Sequence, residues 1–136
     1  MAAVANIVIN DGQATPVAHT FEPTRVSPNL VSYHDKVSGV FAGYPSISLG
    51  NRVPNKQNAN YKASARIRLP VLETAAPATS GFTPGPTVAY ALSGNVDCVI
   101  PDRATDAEKA DLEAYLQNLI SQAVSGDLVT EMALPY

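Results

Sequence analysis

The sequence has little of what enzymes and metalloproteins use at their active sites. It contains one cysteine, Cys98, no tryptophan, and only two histidines, His19 and His34. A single cysteine excludes an intramolecular disulfide and any multi-cysteine metal site, and its apolar neighbours are typical of a small core residue. No Ser/His/acid arrangement, paired carboxylates or metal-ligand spacing stands out. We therefore predict a protein that is not an enzyme, with no metal and no cofactor.

Long apolar runs are also missing. No stretch approaches the roughly 18 consecutive apolar residues of a membrane span, and the first ten residues lack the positive segment of a signal peptide. We expect a soluble chain with no membrane partner, and its 136 residues fit one domain. Only 15% of the residues are charged while 46% are apolar, which favours an oligomer whose apolar surface is covered by a partner.

The few charges are sorted along the chain. The net charge is −3, yet the segment from Lys36 to Arg68 has six basic residues and no acidic one. These are Lys36, Arg52, Lys56, Lys62, Arg66 and Arg68. This concentration of positive charge in one segment indicates an anionic partner that binds there, rather than nonspecific association over the whole surface.

Within this segment, residues 61–69 alternate between apolar and polar side chains. A period of two predicts a strand that presents Lys62, Ser64, Arg66 and Arg68 on one face. Residues 45–50 alternate as well, so Ser46 and Ser48 extend this face if the two segments pair as a hairpin across 51–60. A basic, hydroxyl-bearing face is a candidate nucleic-acid platform, although a solvated outer sheet face has the same pattern.

Further strands flank this pair. Segments 6–10 and 15–21 predict a hairpin, because Asp11-Gly12 supplies the positive φ of a tight turn. Residues 22–28 contain two prolines and predict a break in the sheet. Strands are also expected at 30–35 and 88–100. The latter gathers Ser93, Asn95 and Asp97 on one face, with Gly94 a candidate kink.

The last third of the chain changes to a helical period. Thr105 and Glu108 form a capping box, and an apolar stripe follows that is too long for the core of so small a chain to cover. Its residues, a predicted dimer interface, are Leu112, Tyr115, Leu116, Leu119 and Ile120. Gly126 is expected to interrupt the helix before a second one over 127–134. About seven strands followed by two helices make an α+β protein, with the acidic residues on the helices and the basic ones on the sheet.

Several of these features occur together in an order that resembles the coat proteins of the small single-stranded RNA bacteriophages, the leviviruses. They are the Asp-Gly hairpin, Asn60-Tyr61-Lys62 at the start of the basic strand, a Pro/Gly-rich loop over 74–86, the Thr105-Asp106-x-Glu108-Lys109 helix start and a terminal Leu-Pro-Tyr. The resemblance implies a single domain over 1–136. It comprises a hairpin over 1–21, a five-stranded antiparallel sheet over 29–101 and two helices over 104–134 that interlock with a twofold partner.

The resemblance also implies a function. Such proteins form dimers that assemble into an icosahedral shell and package single-stranded genomic RNA. They bind a hairpin of that RNA, thereby repressing replicase translation. This chain would be made in the cytoplasm of a bacterial host and reside in the virion. The alternative is a free-standing dimeric RNA-binding regulator that forms no shell, which the acidic helices, low charge and Pro/Gly loop disfavour.

Two sets of site residues follow from the resemblance and the basic segment. The predicted RNA-binding residues are Ser46, Ser48, Arg52, Lys62, Ser64, Arg66, Arg68, Ser93, Asn95 and Asp97. The predicted assembly loop, which would adopt two conformations around symmetry axes, includes Thr74, Pro77, Gly81, Phe82, Pro84, Gly85 and Pro86. Ser93 stands where similar proteins place a tyrosine that stacks on a loop base. Since stacking is worth roughly 1–3 kcal/mol per base, we expect only modest hairpin selectivity.

Overall fold

A computed structural model of the chain describes residues 2–134. It contains one antiparallel sheet of six strands, paired in chain order, followed by two helices. The elements are β1 (Ile7–Asn10), β2 (Ala18–Ser27), β3 (Leu30–His34), β4 (Ser46–Arg52), β5 (Asn60–Glu73), β6 (Thr87–Pro101), α1 (Asp106–Ser121) and α2 (Ala123–Thr130). The predicted α+β class is confirmed, with six strands rather than about seven. Pro135 and Tyr136 of the Leu-Pro-Tyr terminus lie outside the described residues.

Strand β2 belongs to both the hairpin and the larger sheet. Its first part, ending at Phe21, pairs with β1, and its second part pairs with β3 from Glu22 to Ser27. The predicted break over 22–28 is therefore wrong. Beyond Phe21 the described part of the chain places no strand on the β1 side of β2, so Pro23 lies in an edge segment, where proline is tolerated. A register shift between Pro23 and Arg25 absorbs the remaining irregularity.

The hairpin turn differs from the predicted tight turn. The connection from Asp11 to Val17 has seven residues between the paired Asn10 and Ala18, and Gly12 does not have a positive φ. The Asp11 carboxylate organises the turn instead, accepting hydrogen bonds from the backbone N–H groups of Val17 at 2.9 Å and Gln13 at 3.3 Å. The aspartate of Asp-Gly is thus the residue that shapes this turn.

The hairpin between β4 and β5 is confirmed, with Ser46 opposite Arg68 and Arg52 opposite Lys62. Strand β6 continues the sheet on the other side of β5, and Gly94 pairs in register with Ile67. Gly94 therefore marks no kink. The register shift in this pair of strands lies at Val71 and Leu72 instead.

The core lies where the hairpin folds over the apolar face of the sheet. Phe21, Tyr33 and Ile47 are its buried hydrophobic residues, with Ile7 and Val31 packed against them. Between hairpin and sheet remains a cleft of about 300 Å³, lined by apolar residues of β1, β2, β4 and β5. This part of the chain therefore builds its core from its own residues.

A histidine clamps the hairpin to the sheet. His19 of β2 lies between two carboxylates, with Nδ1 2.9 Å from Asp35 and Nε2 3.2 Å from Asp11. Since both ring nitrogens face acceptors, His19 donates to both only when protonated. The hydrogen bond to Asp35, and after it that to Asp11, raises the pKa of His19. Asp35 is only 5% exposed, so the imidazolium also compensates a buried charge.

The start of α1 agrees with the prediction and its end does not. The Glu108 N–H donates to Thr105 Oγ1 at 3.3 Å and the Thr105 N–H donates to Glu108 Oε2 at 2.8 Å. That second bond lowers the pKa of Glu108. The break between the helices lies at Gln122, which is extended, and α2 continues through Gly126. At the end of α1 the Leu119 carbonyl accepts from the Gln122 N–H at 3.2 Å and from the Ser125 hydroxyl at 2.6 Å.

The two helices do not form a layer on the sheet of their own chain. Within the described residues α1 packs mainly against α2, and neither helix has a buried residue. The chain exposes 10480 Å², whereas a folded monomer of 14.3 kDa exposes about 6800 Å². This excess shows that a large apolar surface lies uncovered. None of the described helices is long and apolar enough to span a membrane.

Candidate nucleic-acid interface

The predicted RNA-binding side chains all lie on one face of the sheet, here called the polar face. In antiparallel strands, residues directly opposite each other point to the same side. The cross-strand rows are Ser46–Arg68–Ser93, Ser48–Arg66–Asn95, Gly50–Ser64–Asp97 and Arg52–Lys62–Val99. Every predicted residue from β4, β5 and β6 therefore belongs to one surface. The rows are about 7 Å apart along each strand, and neighbouring strands about 4.8 Å apart.

The structure adds residues to this face that the sequence pattern did not indicate. Ser48 pairs with Ser32, and Ser32 pairs with Arg25; Ser46 likewise pairs with His34. Arg25, Ser32 and His34 thus extend two of the rows onto β2 and β3. Arg25 was missed because residues 22–28 were predicted to break the sheet. The alternation of Val31 and Tyr33 with Ser32 and His34 is the signal that identifies the β3 residues.

Most cations of the polar face are not neutralised by the chain itself. Lys62 Nζ lies 3.8 Å from Asp97 Oδ1, a loose pair at the limit of an ion pair. Within residues 2–134 no carboxylate oxygen comes within 4.0 Å of Arg25, Arg52, Arg66 or Arg68. Guanidinium groups that are exposed and unpaired can bind phosphate in a bidentate manner. The face therefore offers anion-binding groups from three strands, β2, β4 and β5.

Polar groups that can contact bases lie among these cations. Ser64 is half-buried, and its Oγ lies 3.5 Å from the Gly50 carbonyl. A Cβ at position 50 would come 3.2 Å from this oxygen, so glycine leaves the hydroxyl accessible in a shallow depression. Ser93, Asn95 and Asp97 are exposed along β6. Asp97 repels phosphate, but it can accept hydrogen bonds from base N–H groups.

The predicted dimer-interface residues of α1 are uncovered. Leu119 and Ile120 are each 60% exposed, and Tyr115 and Leu112 are exposed as well. Leu116 is half-buried. The apolar face of the sheet carries an open groove lined mainly by β3, β4, β5 and β6, including Leu49, Tyr61, Ala65, Val96 and the half-buried Cys98.

The predicted assembly loop connects β5 and β6. Glu73 pairs with Thr87, so residues 74–86 project beyond the last paired residues. A short turn closes its tip, with the Ala78 N–H donating to the Phe82 carbonyl at 2.9 Å and Gly81 at a φ of 79°. Phe82 is 69% exposed. The loop contributes nothing to the core.

The sheet, the two unpacked helices and the projecting loop define the class of viral coat proteins with an antiparallel sheet followed by a helical arm. The sequence model of the levivirus coat protein family matches residues 2–136. The chain therefore belongs to the levivirus coat protein family.

Solved structures of related particles have the same fold. The virus-like particle of bacteriophage ESE058 matches with a TM-score of 0.91 and 27% identity, over 99% of this chain and 100% of that chain. The virus-like particle of bacteriophage NT-214 matches with a TM-score of 0.83 and 31% identity, over 99% and 100% of the two chains. An unassembled, RNA-binding bacteriophage coat protein dimer shares the fold at 13% identity, with a TM-score of 0.68 over 99% of both chains. A comparison with curated protein sequences gives no significant match.

Proposed function

We propose that this coat protein forms interlocked dimers that assemble into an icosahedral shell and package single-stranded RNA on the polar face. The observation that supports this most strongly is the division of the sheet. One face carries exposed, unpaired cations, and the other an open apolar groove. The first surface suits a polyanion and the second suits the apolar side chains of a helix.

A second copy of the chain supplies the helices that fill the groove. The excess exposed area is about 3700 Å² per chain relative to a typical monomer. For two chains this is about 7400 Å², more than the roughly 2000–5000 Å² that obligate dimer interfaces commonly bury. The stripe of α1 would pack on the partner's apolar face, and the partner's α1 on this one. Such an isologous exchange would cover the apolar surfaces of both chains around one twofold axis.

The polar face would then hold RNA inside the shell. Lys62, Arg66 and Arg68, with Arg25 and Arg52, would contact phosphates, while Ser64, Asn95 and Asp97 would contact bases. Phosphate contacts position the strand and base contacts specify its sequence. Binding of a genomic hairpin in this way would repress replicase translation.

The experiment is a filter-binding salt titration of purified protein with RNA recovered from its particles. Lys62→Ala and Arg66→Ala should each lower the slope of log affinity against log salt by about one unit. Lys109→Ala is the matched control, because Lys109 lies on α1 and pairs with Asp106 at 3.0 Å. Unchanged slopes in both sheet variants, with unchanged RNA content of particles, would exclude the polar face as the packaging surface.

Base contacts should respond differently from phosphate contacts. Ser64→Ala and Asn95→Ala should alter preference among RNA hairpins more than they alter the salt slope. Ser93→Tyr should strengthen binding to a hairpin with an exposed loop pyrimidine, because the new ring adds a stacking surface. Equal affinities of wild type and Ser93→Tyr for such a hairpin would contradict this role of position 93.

Electron microscopy of the purified protein distinguishes a capsid subunit from a dimeric regulator. Uniform closed particles support shell assembly, and dimers that never assemble would contradict it.

A further inference from the structure

Three aromatic rings lie together at one end of the polar face. The ring centroids of His34 and Phe41 are 5.5 Å apart, those of Phe41 and Tyr44 are 5.7 Å apart, and those of His34 and Tyr44 are 6.5 Å apart. His34 lies in the row of Ser46 and Arg68, so the cluster adjoins the cationic surface. Phe41 is 73% exposed.

The connection between β3 and β4 holds Phe41 in this exposed position. A 3₁₀ turn spans Phe41–Gly43, with the Gly43 N–H donating to the Val40 carbonyl at 2.9 Å. Gly43 is buried, and a Cβ there would come within 2.5 Å of Leu72. Only glycine lets this turn pack so closely on β5. The ring is therefore presented by a fixed turn, which limits the entropy lost when a ligand stacks on it.

Hydrogen bonding also sets the orientation of His34. The Thr24 hydroxyl lies 2.6 Å from His34 Nδ1 and 3.2 Å from the Ser32 carbonyl. This contact at Nδ1 leaves Nε2 to donate to or accept from a ligand, according to the tautomer of the ring. Lys36 adjoins the same end of the face and pairs with Glu22 at 2.9 Å; this pairing raises the pKa of Lys36 and keeps it cationic.

We propose that His34, Phe41 and Tyr44 form a stacking platform for an unpaired nucleobase, here called the aromatic platform. The inference rests on the proposed RNA-binding function. The RNA strand that stacks a base on the platform would place a phosphate on Arg68, which is about 10 Å from His34 across two β-strand spacings. An exposed ring about 10 Å from the unpaired Arg68 matches the combination of base stacking and backbone attraction that single strands use. The platform supplies an aromatic surface on a face whose β6 position 93 is serine.

The test compares Phe41→Leu with Phe82→Leu in the full-length protein, using oligoadenylate and its abasic analogue as probes. Both phenylalanines are exposed, but Phe82 lies on the loop over 74–86, beyond the paired residues of β5 and β6. Phe41→Leu should weaken oligoadenylate binding about tenfold, with an unchanged salt slope and unchanged binding of the abasic analogue. Phe82→Leu should bind like the wild type. Tyr44→Leu should also weaken binding.

Photocrosslinking provides a second measurement. Oligouridylate that carries 5-iodouridine should crosslink to Phe41 or Tyr44 of the wild-type protein, as mapped by mass spectrometry. Crosslinks found only elsewhere would overturn the inference. So would a Phe41→Leu protein that loses dimers or particles while its RNA affinity stays the same, because the ring would then be a protein contact.

The two proposals fail in different ways. Wild-type affinity in Phe41→Leu, together with reduced salt slopes in Lys62→Ala and Arg66→Ala, would overturn the aromatic platform and leave the polar-face proposal standing. Unchanged salt slopes in those two variants, together with tenfold weaker binding by Phe41→Leu, would overturn the polar-face proposal and leave the aromatic platform standing.

Discussion

The hairpin end and the helical end of this chain differ in the burial of their apolar side chains. The hairpin folds back on its own sheet and buries Phe21, Tyr33 and Ile47. Helix α1 carries an apolar stripe, yet Leu119 and Ile120 stay 60% exposed. The first end is therefore stabilised within the chain, whereas in the proposed dimer the second end is stabilised by the partner chain. Substitutions at the two ends should differ in how their effects depend on protein concentration.

The largest effect is expected in the hairpin core. Phe21→Ala should cost about 3–5 kcal/mol of unfolding free energy, because it removes a buried ring and leaves a cavity. Urea denaturation measures this loss, which should be the same at every protein concentration that keeps the wild type dimeric. A loss that disappears at high concentration would show that Phe21 acts through the partner chain.

The helical end should show the complementary behaviour. Leu116→Ala should cost about 2–5 kcal/mol, and the loss should appear as a weaker dimer whose melting temperature rises with concentration. Glu113→Ala is the control, because within residues 2–134 the Glu113 side chain accepts a hydrogen bond only from Gln117 Nε2 on the same helix, at 3.1 Å. A folded wild-type monomer that is stable at micromolar concentration would contradict the dimer.

The clamp at the hairpin end should make stability depend on pH. Because the folded-state pKa of His19 is raised, its contribution is complete below the unfolded value of about 6.5 and is lost as pH rises through the folded value. The Val17 backbone N–H lowers the pKa of Asp11. The stabilising contribution of the Asp11 carboxylate is therefore present above about pH 3.9 and is lost as the pH falls through the lower folded-state value. Melting temperatures should be highest between about pH 3.9 and pH 6.5. His19→Gln should flatten the decline above neutral pH, and an unchanged profile in that variant would exclude the clamp.

The smallest effect on stability is expected in the loop between β5 and β6. A variant that lacks residues 76–84 keeps Thr74, Ala75, Gly85 and Pro86, enough for a four-residue hairpin loop. Its stability should change by no more than about 1 kcal/mol, since loop closure depends weakly on length. Regular particles should be lost while dimers persist. If the variant fails to fold, or forms the same particles as the wild type, the loop does not control assembly.

The alternation of polar and apolar residues was sufficient to predict the polar face. Lys62, Ser64 and Arg66 were placed together with Ser46 and Ser48 because side chains alternate strictly along paired strands. The capping box at Thr105 was equally local and equally predictable. In both cases the physical cause lies within a few residues of sequence.

The remaining features depend on distant groups. Whether Pro23 interrupts a strand depends on which side of β2 has a partner, which the local sequence does not contain. The bond between His19 and Asp35 joins residues 16 apart. Helix α1 ends at the extended Gln122 rather than at Gly126, and there the Ser125 hydroxyl reaches back to the Leu119 carbonyl six residues away. Likewise, Phe41 meets His34 only after the turn packs on Leu72.

The strand order affects how fast this protein folds and dimerises. Each strand pairs only with its neighbour in sequence, so every hairpin can close as soon as it leaves the ribosome, without waiting for a distant segment. In the proposed dimer, α1 docks on a second polypeptide, which is a bimolecular step. Refolding should therefore show a fast phase that is independent of concentration, followed by one whose rate increases with it. Polysomes that translate one message in many copies would supply that second chain nearby.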